Sequence, residues 1–147
     1  MAINIGAIRK KLDCMLDYLK ELRLLSTVSH KEFSEDVFKR RMGERVLQLI
    51  IEVALDINRH LLKEIDAIPS EPTERMSNEK TFHQMRYCGI LSTELTEKLV
   101  KAGSFRNHLV HNYESIDLLI VHSAIQPVLK YFPLYVEEIS DYLSRLE

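Results

Sequence analysis

Arg45-Val46-Leu47-Gln48-Leu49-Ile50-Ile51-Glu52-Val53-Ala54-Leu55-Asp56-Ile57-Asn58-Arg59-His60-Leu61-Leu62 is too hydrophobic for an ordinary surface helix. Its apolar residues cover most of the circumference, so the helix must be buried on more than one side. The polar remainder, Arg45, Gln48, Glu52, Asp56, Arg59 and Lys63, recurs at steps of three and four and forms one narrow stripe. The plain reading of that stripe is a solvated face. The sharper reading is the border of a cleft opposite the segment Arg106 to Tyr113. A bundle of about five helices would leave much of this helix wet, which implies a symmetric dimer. Gly43, just upstream, costs roughly 1 kcal/mol against alanine and marks a bend or a close approach.

Working outward, glycine and proline are scarce, four of each, and β-branched residues rarely alternate with polar ones. An all-α chain follows, an up-and-down bundle. Ile5, Ile8, Leu12, Met15, Leu19 and Leu22 draw one apolar stripe along a first helix that fades at Ser26-Thr27. Ser29 or Ser34 starts the central helix, which runs to about Ile65, with Pro69 and Pro72 ending any continuation. Ser77 caps a short helix that Gly89 stops, and Ser92 or Thr93 starts the next. Ser115 or Asp117 caps a last stretch, expected to break near Pro127 and Pro133 and to end in the stripe Phe132, Val136, Ile139, Leu143 and Leu146.

With 147 residues, 46% of them hydrophobic, residues 1–147 are read as a single domain with its own core. Cys14 and Cys88 form no metal-like pair, and no leader precedes Ile5, so a reduced, cytoplasmic protein is expected. No apolar run approaches the ~20 residues needed to span a bilayer, so no membrane association is expected. A net charge of −2 excludes a protein that coats nucleic acid over its whole surface. The runs Arg9-Lys10-Lys11 and Lys39-Arg40-Arg41 read as solvated faces rather than RNA tracks. With 7% aromatics and no tryptophan, an extensive base-stacking platform is not expected.

The chemistry concentrates in Arg106-Asn107-His108-Leu109-Val110-His111-Asn112-Tyr113. Arginine is a permanent cation whose planar fork matches phosphate oxygens, and histidine exchanges a proton near neutrality. On a helix, Tyr113 falls about 20° from Arg106, Asn107 about 100° and His111 about 140°. Asn107 and His111 are an i,i+4 pair, so the amide can orient the imidazole. Arg106 and His111 are about 7.5 Å apart along the axis and diverge, so they converge on one phosphate by bending of the arginine or across a two-fold axis. His108 projects to another side, at about 200°.

These residues suit RNA cleavage by transesterification. His111 removes the proton from a ribose 2′-OH, which attacks the adjacent phosphorus, while Arg106 stabilises the charge that develops on the phosphoryl oxygens. The plainer alternatives are a surface ion pair of Arg106 with Glu94 or Glu97, and a core tyrosine at 113. Glu52 and Asp56 are an i,i+4 carboxylate pair, but no third carboxylate at matching spacing joins them. Neither a metal site nor a cofactor is therefore expected.

The spacing Arg106-x4-His111 followed by x-Tyr113 resembles the signature of the HEPN superfamily, and the H-x-Y extension resembles its HepT branch, the toxins of bacterial toxin–antitoxin pairs. The resemblance implies a helical bundle that dimerises, with Arg106 and His111 as the ribonuclease residues and Asn107 as the polar residue after the arginine. It also implies a partner besides RNA: a minimal nucleotidyltransferase (MNT) antitoxin that silences the toxin by attaching AMP to the H-x-Y tyrosine, Tyr113 here. An anionic nucleotide on that phenol would occupy the phosphate site and neutralise the Arg106 cation. The segment from Thr27 to Arg45 is longer than in shorter members of the family. Two other classes remain: a non-catalytic helical binding or scaffold protein, and a substrate-binding subunit for a nucleotidyltransferase.

Overall fold

The structure is a computed structural model that describes residues 3–67, 76–111 and 117–147, with the backbone alone at Val110 and His111. Among the described residues the chain is all-α, with six helices: α1 Ile5–Arg23, α2 His30–Glu35, α3 Val37–Glu64, α4 Asn78–Tyr87, α5 Thr93–His111 and α6 Leu118–Leu146. α3 is the central element and touches each of the other five.

The starts follow from short polar side chains that satisfy first-turn N–H groups. Asn4, Ser29, Asp36, Ser77 and Asp117 each accept such bonds at the heads of α1, α2, α3, α4 and α6. Ser29 and Asp36 thus divide what the sequence presented as one helix start. Ser29 opens the six-residue α2, and Asp36, rather than Ser34, opens α3. The short α2 delivers Phe33 to the core, fully buried. Gly43 explains the arrangement: a Cβ there would stand 2.7 Å from the Phe33 ring. Its role is a close approach.

Two ends are set by the left-handed turn that closes a helix with paired carbonyls. At α4, Gly89 has φ +76°, Ile90 donates to the Met85 carbonyl at 2.9 Å, and Gly89 donates to that of Arg86 at 2.9 Å. At α3 the same pattern places Asp66 at φ 55°, with Ala67 donating to Leu62 and Asp66 to Lys63. The helix therefore stops before Pro69 and Pro72, which lie outside the described residues.

α6 runs unbroken through Pro127 and Pro133, against the expected break. Each proline costs about 3 kcal/mol in a helix interior, whereas burying one large apolar side chain returns about 1.5–3 kcal/mol. Val121, Ile125, Val128, Phe132, Tyr135, Val136, Ile139 and Leu143 are all buried along this helix. Those before and after the prolines share one core, which outweighs the backbone cost. Leu146 is 44% exposed and lies outside that core.

The burial of α3 is as its composition demands, but the cover comes from its own chain. Leu47, Ile50, Ile51, Ala54, Ile57, Leu61 and Leu62 are fully buried within one protomer. The apolar excess of α3 therefore gives no reason for a second copy. A central helix ringed by five neighbours buries far more than one packed on two, and composition does not reveal which of these it is.

Candidate functional site between α3, α4 and α5

Ser92 stands just before the first residue of α5, and its hydroxyl accepts from the Leu95 N–H at 3.3 Å. Glu138 of α6 accepts from the Ser92 backbone and hydroxyl at 2.6 and 2.8 Å, which ties this end of α5 down. Further along, Gly103 decides the geometry. A Cβ there would lie 3.0 Å from the Glu79 nitrogen and 3.1 Å from the Asn78 carbonyl carbon. The absence of a side chain lets the first turn of α4 press on α5, which brings Asn78 and Glu79 beside Arg106 and Asn107.

The result is a polar cleft of about 590 Å³, lined by Glu52, Asp56 and Arg59 of α3, by residues 76–79, and by Arg106 and Asn107. The sharper reading of the α3 stripe holds for these three residues. Arg106 pairs with Glu52 at 3.3 Å, across 54 residues of sequence, and not with Glu94 or Glu97. Gln48 donates to the same Glu52 oxygen at 3.0 Å. Arg59 donates to the Met76 carbonyl at 2.9 Å and to Asn78 Oδ1 at 3.0 Å, and Asn78 donates to Asn107 Oδ1 at 3.4 Å. Ser104 donates to Glu79 at 2.5 Å, a bond that holds the Glu79 carboxyl below the ordinary carboxylate range.

A buried polar chain anchors this wall to the core. Tyr135 of α6 donates to Asn58 Oδ1 at 2.6 Å, with the Ala54 carbonyl also near at 3.1 Å. Asn58 donates to Thr81 Oγ1 at 3.1 Å, and Thr81 donates to the Asn78 carbonyl at 2.8 Å. Burial pushes the Tyr135 phenol well above its ordinary range, so it remains a neutral donor. Asn58 and Thr81 are fully buried, where an unpaired amide or hydroxyl costs about 1–3 kcal/mol. The chain satisfies both and fixes the height of Asn78.

Of the residues singled out from sequence, Arg106 and Asn107 are brought to the cleft. His111 is the last residue of α5; its side chain lies outside the described residues, as does Tyr113. So do the Asn107–His111 pairing and the alignment of Tyr113 with Arg106. His108 turns away, its ring stacked on Phe105 at 6.3 Å between centroids. The basic runs are solvated as expected, with Arg9 bound to Glu147, Lys11 to Asp56 and Lys39 to Glu32. Sequence reasoning missed Asn78, Glu79 and the buried chain behind them. The available signal was Gly103, three residues before Arg106 and so on the same face, where a glycine inside a helix points to a neighbouring backbone.

Chemically, the cleft offers a guanidinium held by a half-buried carboxylate. Glu52 engages one of its N–H groups, and a guanidinium has five in a planar fork, so donor capacity remains for an anionic oxygen. No group of three or more His, Cys, Asp or Glu side chains among the described residues is arranged to hold a metal ion. Both cysteines are free. No helix among the described residues is long and apolar enough to cross a membrane.

Comparison with known proteins places this architecture. The family model described as Ribonuclease HepT-like matches residues 15–139. The tRNA nuclease HepT of Aphanizomenon flos-aquae (strain 2012/KM1/D3) is 33% identical over 140 residues, which is 95% of this chain and 92% of that protein. Among solved structures, the tri-AMPylated Shewanella oneidensis HEPN toxin in complex with MNT antitoxin superposes with a TM-score of 0.77 at 22% identity, covering 96% of this chain and 99% of that one. A cytosolic protein of unknown function from Bacillus subtilis, YutE, gives 0.81 at 16% identity over 97% of this chain and 92% of its own. The two structures share the fold, and the family match over most of the length shows that the chain belongs to the HepT-like ribonucleases.

Proposed function

We propose that the chain is a metal-independent endoribonuclease toxin of a toxin–antitoxin pair, cutting RNA with Arg106 and His111. The observation that carries this reading is the Arg106 guanidinium in a polar cleft, with Asn107 beside it and His111 five residues on along the same helix. His111 takes the proton of a ribose 2′-OH, the 2′ oxygen bonds to phosphorus, and the bond to the 5′ oxygen breaks. The products are a 2′,3′-cyclic phosphate and a 5′-hydroxyl. Arg106 trades part of its bond with Glu52 for the phosphoryl oxygens, whose charge grows in the transition state. The leaving oxygen takes its proton from water or from His111 of a second copy in a homodimer. A relative 33% identical to the chain is named a tRNA nuclease, which makes transfer RNA the first substrate to test.

Regulation is proposed to act through Tyr113, by AMP transfer from an MNT-type nucleotidyltransferase antitoxin. The tri-AMPylated toxin–antitoxin complex that shares this fold supports that partner class. The test is cleavage of transfer RNA by purified protein in EDTA, with and without a co-expressed cognate nucleotidyltransferase and ATP. Cleavage that survives chelation and is lost once intact mass shows AMP on Tyr113 supports the reading. Loss on chelation with recovery in Mg²⁺ overturns the mechanism, and modification mapped to Tyr87 or Tyr131 overturns the regulatory assignment. Light scattering that gives only a 17.2 kDa species removes the homodimer.

A further inference from the structure

The opposite flank of α5 carries a second concavity. It is an apolar groove of about 440 Å³ between α5 and α6, with Ile51 of α3 among its lining residues. That volume falls in the ~300–1,000 Å³ range of small-molecule sites. Ile51, Val128 and Phe132 are buried, and Phe105, the residue before Arg106, forms part of the α5 wall.

Its charge is one-sided. Lys98 and Lys101 stand on the α5 side, and Lys98 Nζ lies 6.0 Å from the centre of the Tyr131 ring. Lys130 Nζ approaches the same ring at 5.4 Å. None of these three lysines forms an ion pair among the described residues, although Glu94 and Glu97 lie one turn before Lys98 and Lys101 on the same helix. Lys98 and Lys101 are the only charged residues among those that line the groove, and two cations outside any ion pair at the edge of an apolar slot favour an anionic ligand with a flat apolar part.

Resting on the ribonuclease reading, we propose that this groove is a second substrate subsite, which takes a nucleotide of single-stranded RNA flanking the cut. The base enters between Phe105 and Tyr131, and the backbone phosphates lie against Lys98 and Lys101. Base–aromatic contact with a basic rim is the general pattern of single-strand recognition and does not depend on sequence. A second copy of the chain fits less well. Interface cores are depleted of lysine, and a two-fold axis through the groove would bring the same cations together. Phe105 and Arg106 are consecutive on α5, so one strand crossing this helix reaches both the groove and the cleft.

The test uses the full-length His111→Ala chain, which cannot cut, and a fluorescent single-stranded RNA oligonucleotide titrated at several salt concentrations. Adding Lys98→Ala and Lys101→Ala is expected to weaken binding about tenfold and to flatten the salt dependence by about 0.7 for each phosphate no longer neutralised. Ala124→Leu, which fills the groove, is expected to weaken binding about fivefold with the salt slope unchanged. Both lysines are exposed, so their variant keeps the fold. Unchanged affinity in the lysine variant overturns the subsite, and so does a fall in mass by light scattering, which assigns the groove to a second copy. Cleavage is read separately on the chain with His111 intact. Groove-dependent binding without cleavage sinks the ribonuclease reading and keeps the subsite, whereas cleavage with KM unmoved by the lysine changes sinks the subsite alone.

Discussion

The two flanks of α5 are built from neighbouring residues yet have opposite character. Arg106 and Asn107 line a cleft whose other walls carry three carboxylates, Arg59 and the Asn78 amide beside Leu55, Met76 and Ser77, and the polar bonds there tie α3, α4 and α5 to one another. One residue earlier, Phe105 lines a groove of isoleucine, valine and phenylalanine with lysines at its edge. A step of about 100° per residue is what turns consecutive side chains into different troughs. The difference teaches where each kind of work can be done. Stabilising a transient charge needs fixed, paired dipoles, which the cleft has through its chain back to Tyr135. Gripping a base needs apolar area, which the groove has.

The largest effect expected from breaking this contrast is catalytic. Arg106→Ala should lower cleavage about 10²–10³-fold and leave helical circular dichroism intact, because its partner Glu52 is partly exposed and can hydrate. A variant that unfolds would instead make the arginine structural. Phe105→Ala on the other flank should raise KM with kcat nearly unchanged, which separates the two troughs by kinetics.

Next in size is the joint that builds the cleft. Gly103→Ala places a methyl group 3.0 Å from backbone that cannot turn aside, and overpacking of this kind costs about 1–3 kcal/mol. Urea unfolding measures it, and activity should fall further than stability, since α4 carries Asn78. A neutral result would show that α4 has room to move and that Gly103 does not set the cleft.

A smaller effect is expected at the ion pair. Glu52 and Arg106 side chains are 33% and 29% exposed, so Glu52→Gln should cost less than about 1 kcal/mol. A loss of several kcal/mol in the same urea assay would mean the pair holds α3 to α5 rather than presenting the arginine.

The smallest is Glu79→Gln, read as stability against pH. The Glu79 carboxyl is held below its ordinary value, near 4.5, chiefly by the Ser104 hydroxyl. Its contribution is therefore present above that value and fades as pH falls through the lowered one. The variant should be slightly less stable than the parent at neutral pH, with the gap closing in acid. A gap that persists in acid would mean the loss is one of packing rather than charge.

Much of this is legible in the amino-acid chain alone. The periodicity of Arg45 to Leu62 requires a buried central helix; Ser77, Ser92 or Thr93, and Ser115 or Asp117 mark three helix starts; and Arg106-x4-His111-x-Tyr113 points to the family. All of these are patterns within one or a few helical turns, where the backbone fixes which residues share a face. Only the tertiary structure decided the rest. It brought Arg106 to its partner on α3, set α4 against Gly103, carried α6 through two prolines and covered α3 without a second copy. Those outcomes depend on the height and rotation at which distant helices pack. Such choices are made by the summed burial of many side chains, a sum no local stretch of sequence contains.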